Sequence, residues 1–234
     1  MVAILAVLAG EARASDFFGP RQAGQFQPEV DVYFPLGQRS RLQLQVQPTF
    51  IPADSYSDIT LAAFVSWHLS PFVQVLLSPD IGKGHALEVR LGIQYNPVLE
   101  PGTIGSSQTV VLLAGLTPRL YLPWSILVTD RNRFEARWID AAGTTRSFRY
   151  RNLVQLEREF EIHPASLTAF ADVEFIWDSA KGMWSQFRPQ AGLQYAAHWF
   201  AEGQIIELNY MAITYLQPSR SYAPVLGLVF YTYF

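Results

Sequence analysis

The side chains best placed to do chemistry together are the arginines and carboxylates between Asp130 and Glu161. Arg131, Arg133, Glu135 and Arg137 recur at every second position, with Phe134, Ala136 and Trp138 in the opposite phase. Beyond a turn-like run at 140–145, Arg149, Arg151, Gln155, Glu157 and Glu159 recur in the same way against Phe148, Tyr150, Val154, Leu156 and Phe160. Further on, Asp172 and Glu174 oppose Ala171, Val173 and Phe175. A period of two is that of a β-strand, whose successive side chains point to opposite faces. Two neighbouring strands would then carry a basic patch of Arg131, Arg133, Arg137, Arg149 and Arg151, with Glu135, Glu157, Glu159, Asp172 and Glu174 beside it. Two chemistries suit such a face. Cross-strand ion pairs would lock a polar interior, the more firmly for its low-dielectric wall. Alternatively, the arginines would form a strip selective for small anionic solutes, as charged rings filter ions in pores.

Other chemistry finds little support. The chain has no cysteine, which excludes disulfides and thiolate metal sites. Its net charge of −3 offers no basic excess for nucleic acid. No two of His68, His85, His163 and His198 stand two or four positions apart, so metal-ligand spacing is absent, and no glycine loop for phosphate appears. No cofactor is expected. A lipid-modifying enzyme would need a nucleophile within reach of a base. The nearest approach is His68, flanked by Ser66 and Ser70, but Ser70-Pro71 reads as a turn that separates them. No catalytic residue is assigned.

The elements that must position the charged strip are strands throughout. Leu42, Leu44, Val46, Pro48 and Phe50 alternate with Arg41, Gln43, Gln45 and Gln47. Leu87, Val89, Leu91, Ile93 and Tyr95 alternate with Glu88, Arg90, Gly92 and Gln94. The run from Ile59 to Pro79 holds no Asp, Glu, Lys or Arg. Proline inside a helix costs several kcal/mol, so Ser70-Pro71 favours two strands, Thr60 to Leu69 and Phe72 to Ser78, over a spanning helix. A turn is expected from Pro118 to Pro123 and a strand from Trp124 to Ile139. Asp130 and Asn132 interrupt the apolar phase of that strand and predict a bulge or break. Strands also follow at Leu167 to Trp177, Trp184 to Ala197, Gln204 to Tyr215 and Tyr222 to Phe234. The sum is an all-β meander of about twelve strands.

Whether the apolar phases face a core or lipid is decided by three features. Residues 1–14 read as an export signal, with an apolar run from Val2 to Gly10 before Ala12, Arg13 and Ala14. That run is far shorter than the roughly 20 residues a spanning helix needs. The polar phases carry Gln, Glu and Arg, whereas the two lysines, Lys83 and Lys181, fall in expected loops. A soluble sandwich or barrel would show more lysine to water. Finally, the chain ends with Leu226, Leu228, Phe230 and the terminal Phe234 in one phase. This resembles the last strand of bacterial outer-membrane proteins, which implies recognition by the barrel-assembly machinery. Residues 15–234 are therefore expected to form one transmembrane antiparallel up-and-down β-barrel, lipid outside and charge inside. The runner-up is a soluble secreted barrel holding an apolar ligand.

The central hairpin carries a family likeness. Arg131-Asn132-Arg133-Phe134-Glu135-Ala136-Arg137, followed by Phe148-Arg149-Tyr150-Arg151-Asn152, resembles the RNRLEYR and RYRNR hairpin of the DUF2490 proteins, with Ala136 where an aromatic is usual. The resemblance runs from about residue 124 to the end, through Asp172 to Asp178. It implies an outer-membrane barrel and supplies no catalytic residues. The expected role is a narrow diffusion channel or a structural envelope barrel with an Arg/Glu-lined interior, in contact with outer-membrane lipid and, if open, small anionic solutes.

Overall fold

A computed structural model describes residues 22–51, 56–71, 81–97, 108–140, 144–162, 165–197, 204–216 and 221–234. The expected export signal at 1–14 lies outside the described residues. The strands are β1 (Gln25–Pro35), β2 (Ser40–Ile51), β3 (Tyr56–Pro71), β4 (His85–Asn96), β5 (Gln108–Leu122), β6 (Ile126–Asp140), β7 (Thr144–Ile162), β8 (Ala165–Asp178), β9 (Met183–Ala197), β10 (Gln204–Tyr215) and β11 (Ser221–Tyr233). Each pairs antiparallel with its neighbours in sequence, and the sheet closes on itself as a barrel. Of the twelve expected strands, Phe72 to Ser78 lies outside the described residues. β3 pairs directly with β4, from Leu61↔Tyr95 to Pro71↔His85, so the circle is complete without it.

An odd number of strands fixes how the circle closes. In an up-and-down order the first and last of eleven strands point the same way, so β1 and β11 pair in parallel, from Gln25↔Val225 to Tyr33↔Tyr233. Parallel pairing is slightly weaker per residue, and aromatic side chains line this seam on both faces. Inside, Tyr33 stacks on Tyr233 with centroids 4.5 Å apart; outside, Phe34 stacks on Phe234 at 5.4 Å.

The alternation seen in the sequence becomes an inside and an outside. Leu91, Ile93, Leu112, Phe134, Leu156, Leu208 and Phe230 project outward and are exposed. Arg41, Glu88, Glu135, Glu174 and Glu207 point inward and are buried. Exposed aromatics crowd both strand ends, Phe34, Trp67, Trp124, Phe160 and Phe234 at one and Phe26, Phe50, Tyr95, Phe148 and Trp184 at the other.

Two expectations need correction. β5 runs straight through Pro118 to Leu122, and the turn is the 3-10 segment Pro123–Ser125, where Trp124 and Ser125 take φ of 66° and 58°. Positive φ at successive turn positions suits the twist of a tight hairpin, so Trp124 belongs to the turn and not to β6. Nor does β6 bulge or break at Asp130. Its register with β5 is the same on both sides, Leu116↔Asn132 and Arg119↔Thr129, with the pairs at Thr117 and Pro118 missing. The irregularity is real but arises on the neighbouring strand, where Pro118 has no N–H to donate. A bulge does occur in β8–β9, between Ile176 and Trp177, where Ser185 donates its hydroxyl to the Ile176 carbonyl at 3.2 Å.

Glycine makes room inside for two phenylalanines. Gly92 lies beneath the ring of Phe64 and Gly192 beneath that of Phe170, where an added Cβ would come within 2.6 Å of both the Phe170 ring and the Leu208 carbonyl. Gly192→Val should therefore destabilise the barrel by about 1–3 kcal/mol or more through overpacking. Gly84→Ala, with nothing within 4 Å, should stay within about 0.5 kcal/mol. Urea unfolding of the barrel refolded in detergent would check both.

Candidate functional site: the charged barrel interior

The inner face is close to electroneutral. Arg41, Arg90, Arg119, Arg131, Arg133, Arg137, Arg149, Arg151 and Arg188, with Lys83, stand against Glu29, Asp31, Glu88, Glu135, Glu157, Glu159, Asp172, Glu174, Asp178 and Glu207. The anticipated strip is here, in separate groups.

The largest group spans β6 to β9. Strand register sets Arg133 directly opposite Arg151 and Glu135 directly opposite Arg149. Like charges facing each other across a ladder repel, and Glu135 relieves this pair by accepting both. Its carboxylate lies 2.9 Å from Arg133, 3.4 Å from Arg151 and 3.9 Å from Arg149. Arg151 also reaches the other way. Its Nε and Nη2 donate to the two oxygens of Glu174, each at 2.7 Å, and Arg188 approaches Glu174 at 3.6 Å. Paired donation from one guanidinium to one carboxylate is the strongest geometry such a contact has. Asp178 extends the group to Arg149 at 3.3 Å and Arg137 at 3.6 Å. Six of the expected residues, Arg133, Glu135, Arg137, Arg149, Arg151 and Glu174, thus belong to one network.

The other four expected residues lie elsewhere in the lumen. Glu157 pairs with Lys83 at 2.9 Å, and Glu159 lies in the same recess with Tyr121 and Leu127. Lys83, expected in a loop, does sit in the 3-10 turn before β4, but its ammonium turns into the barrel and also donates to Gln194 at 2.9 Å. Arg131 and Asp172 line a polar cavity of about 220 Å³. Arg131 makes no ion pair within 4 Å among the described residues.

Three groups escaped the sequence reading. Glu88, 1% exposed, is gripped by Arg90 and Arg119, each at 2.7 Å, with His68 at 3.7 Å. Across the cavity, Glu29 accepts from Gln45 and Gln47, each at 2.5 Å. Glu207 accepts from Tyr231 at 2.7 Å, Gln194 at 2.8 Å and Asn209 at 2.7 Å. Arg188 and Asp178 complete the large network. All share the inward phase of their strands, and that phase was the available signal. Which inward charges meet depends on register, invisible before folding. The interior is also less purely charged than expected. Ile213, Ala223 and Val225 pack with Met211 and Tyr215 inside β10–β11, and Ala62, Phe64 and Leu113 inside β3–β5.

His68 stands in an unbroken β3, contrary to the expected turn, so Ser66 shares its inward face. Both are sealed, 1% and 2% exposed.

No family model matches the chain, and no curated protein matches it. Among solved structures, the crystal structure of the β domain of the Bordetella autotransporter BrkA is similar, at 12% identity and a TM-score of 0.43 over 78% of this chain and 80% of that one. This likeness is too distant to carry a function.

Removing Glu135 would leave three guanidiniums around an empty place. Breaking a buried ion pair by deleting one partner costs about 3–5 kcal/mol, and Glu135→Gln should fall at the lower end because the arginines keep some solvent contact. The exposed Glu161→Gln should change stability by less than about 0.5 kcal/mol. Equilibrium unfolding in detergent would compare them.

Proposed function

We propose that this chain is an outer-membrane β-barrel, resembling the DUF2490 proteins, that acts as a structural envelope barrel with an interior held shut by ion pairs. The observation that carries it is the inversion of polarity. Phe134 and Phe148 are 59% and 65% exposed on the outer face while Glu88, Glu135 and Glu174 are buried within. A sheet with this arrangement has its favourable solvent in hydrocarbon. Closing the ladder around the circle satisfies the backbone that lipid cannot, and aromatics at both strand ends suit the two membrane interfaces. The last strand, ending at Phe234, would be the element the assembly machinery reads.

Two alternatives lose ground on specific features. A soluble barrel for an apolar ligand would line its cavity with apolar side chains, whereas this one is lined by Glu29, Asp31, Arg41, Arg90, Arg131 and Asp172. A lipid-modifying enzyme built on His68 and Ser66 would need both open to lipid, and both are buried inside.

A second reading, a narrow pathway for small anions, is favoured by Arg131, whose guanidinium faces the cavity without an ion-pair partner within 4 Å among the described residues. Side chains fill the interior of the smallest barrels, and those of about sixteen strands leave a channel. Eleven strands with long Arg, Glu and Gln side chains fall on the filled side.

Fractionation tests the location: the protein should be extracted from outer membranes only with detergent. Planar-bilayer recording tests closure. The wild type should be silent, and Arg131→Ala combined with Arg133→Ala should introduce conductance. A steady wild-type current with anion preference, reduced by Arg131→Ala, would instead establish the second reading.

A further inference from the structure

The outer face of β6 and β7 carries a polar group where the rest of that face is apolar. Asn132 and Asn152 are directly opposite, flanked by Asp130 and Tyr150. Asn152 donates to Asp130 Oδ1 at 2.6 Å and Asn132 to Asp130 Oδ2 at 3.1 Å, while the Tyr150 hydroxyl donates to Asn132 Oδ1 at 2.5 Å. The neighbours on this face include Leu116, Pro118, Phe134 and Val154. Among the described residues no Lys, Arg or His comes within 4 Å of Asp130. The ladder to β5 lapses at the same place, where Pro118 has no N–H to offer. A carboxylate on a lipid-facing surface is expensive without a counter-charge, and such residues mark functional sites by default.

Next to this group lies a groove of about 640 Å³, within the roughly 300–1,000 Å³ typical of ligand sites. Ala114 and Ala136 form its floor, and Leu91, Leu112, Phe134 and Phe148 are among its walls. Tyr150 joins the two features. Its ring lines the groove, 5.0 Å from that of Phe134, and its hydroxyl ends in the polar group.

We propose that this face binds one phospholipid with a primary-amine head, its ammonium on Asp130 and an acyl chain along the Ala114–Ala136 groove. Charge selects the head: the polar group presents one carboxylate with its donors already turned inward on it, so it accepts a cation and repels an anionic lipid. The groove selects the chain by offering an apolar channel at the depth where the tail of that lipid would run. The inference rests on the membrane-barrel reading.

The test is lipid retention by the full-length barrel, purified in detergent and weighed by native mass spectrometry with phosphatidylethanolamine or phosphatidylglycerol added. The wild type should retain phosphatidylethanolamine by roughly fivefold over phosphatidylglycerol, the ratio a partly exposed ion pair supplies. Asp130→Asn, which keeps the hydrogen-bonding shape, should bring the ratio near one, and Ala136→Leu should reduce retention of both lipids by filling the groove. Equal retention by the wild type, or an unchanged ratio in Asp130→Asn, overturns the proposal. A dimer mass that Ala136→Leu abolishes also overturns it, assigning the groove to a second copy of the chain. Recovery of the protein without detergent would overturn the membrane reading itself, whereas detergent-dependent protein that retains both lipids alike overturns the lipid site alone.

Discussion

Everything inside this barrel depends on one requirement: charges carried on the inner face of a closed sheet must neutralise one another across strands. Glu135 shows how. Strand pairing forces Arg133 to face Arg151, and a single carboxylate beside them takes up both guanidiniums and approaches a third. Arg151 then turns its remaining donors to Glu174 on the next strand. The chain of pairs crosses from β6 to β9, so side chains tie together strands that the backbone joins only pairwise. Such a network gains little over apolar packing of the same volume, since both partners must leave water. What it does supply is a polar lumen that stays filled.

The outer face answers to a different solvent and shows the complementary economy of charge. Its apolar surface is almost continuous, and its aromatics gather at the strand ends. Asp130, Asn132, Asn152 and Tyr150 are the departure, and they bind one another before anything else. The same strands therefore hold a filled, ion-paired interior on one side and, on the other, a polar notch beside an apolar groove.

Closure adds a constraint of its own. Bacterial single-chain outer-membrane barrels usually have an even number of strands, which lets the first and last pair antiparallel. Eleven strands oblige a parallel seam, and here it is buttressed by stacked aromatics, Tyr33 on Tyr233 within and Phe34 on Phe234 without. The alternating end of the chain, with tyrosines in one phase and Leu226, Leu228, Phe230 and Phe234 in the other, serves both faces of this seam at once.

The sequence by itself determined the alternation, and with it the all-β class, the inward phase of every expected charge and the outward phase of the leucines and phenylalanines. Side-chain direction in a strand is a local property with a period of two, so it can be read one segment at a time. Even the disturbance at Asp130 was legible, although its cause was not: Pro118 is its neighbour only once β5 and β6 pair. Tertiary structure decided the rest. Residues far apart in sequence, such as Lys83 and Gln194 or Glu29 and Gln47, meet only when strands take their places around the circle. The expected strip was accordingly divided, Arg131 and Asp172 going to the cavity and Glu157 to Lys83, because register and closure set which inward charges come within reach.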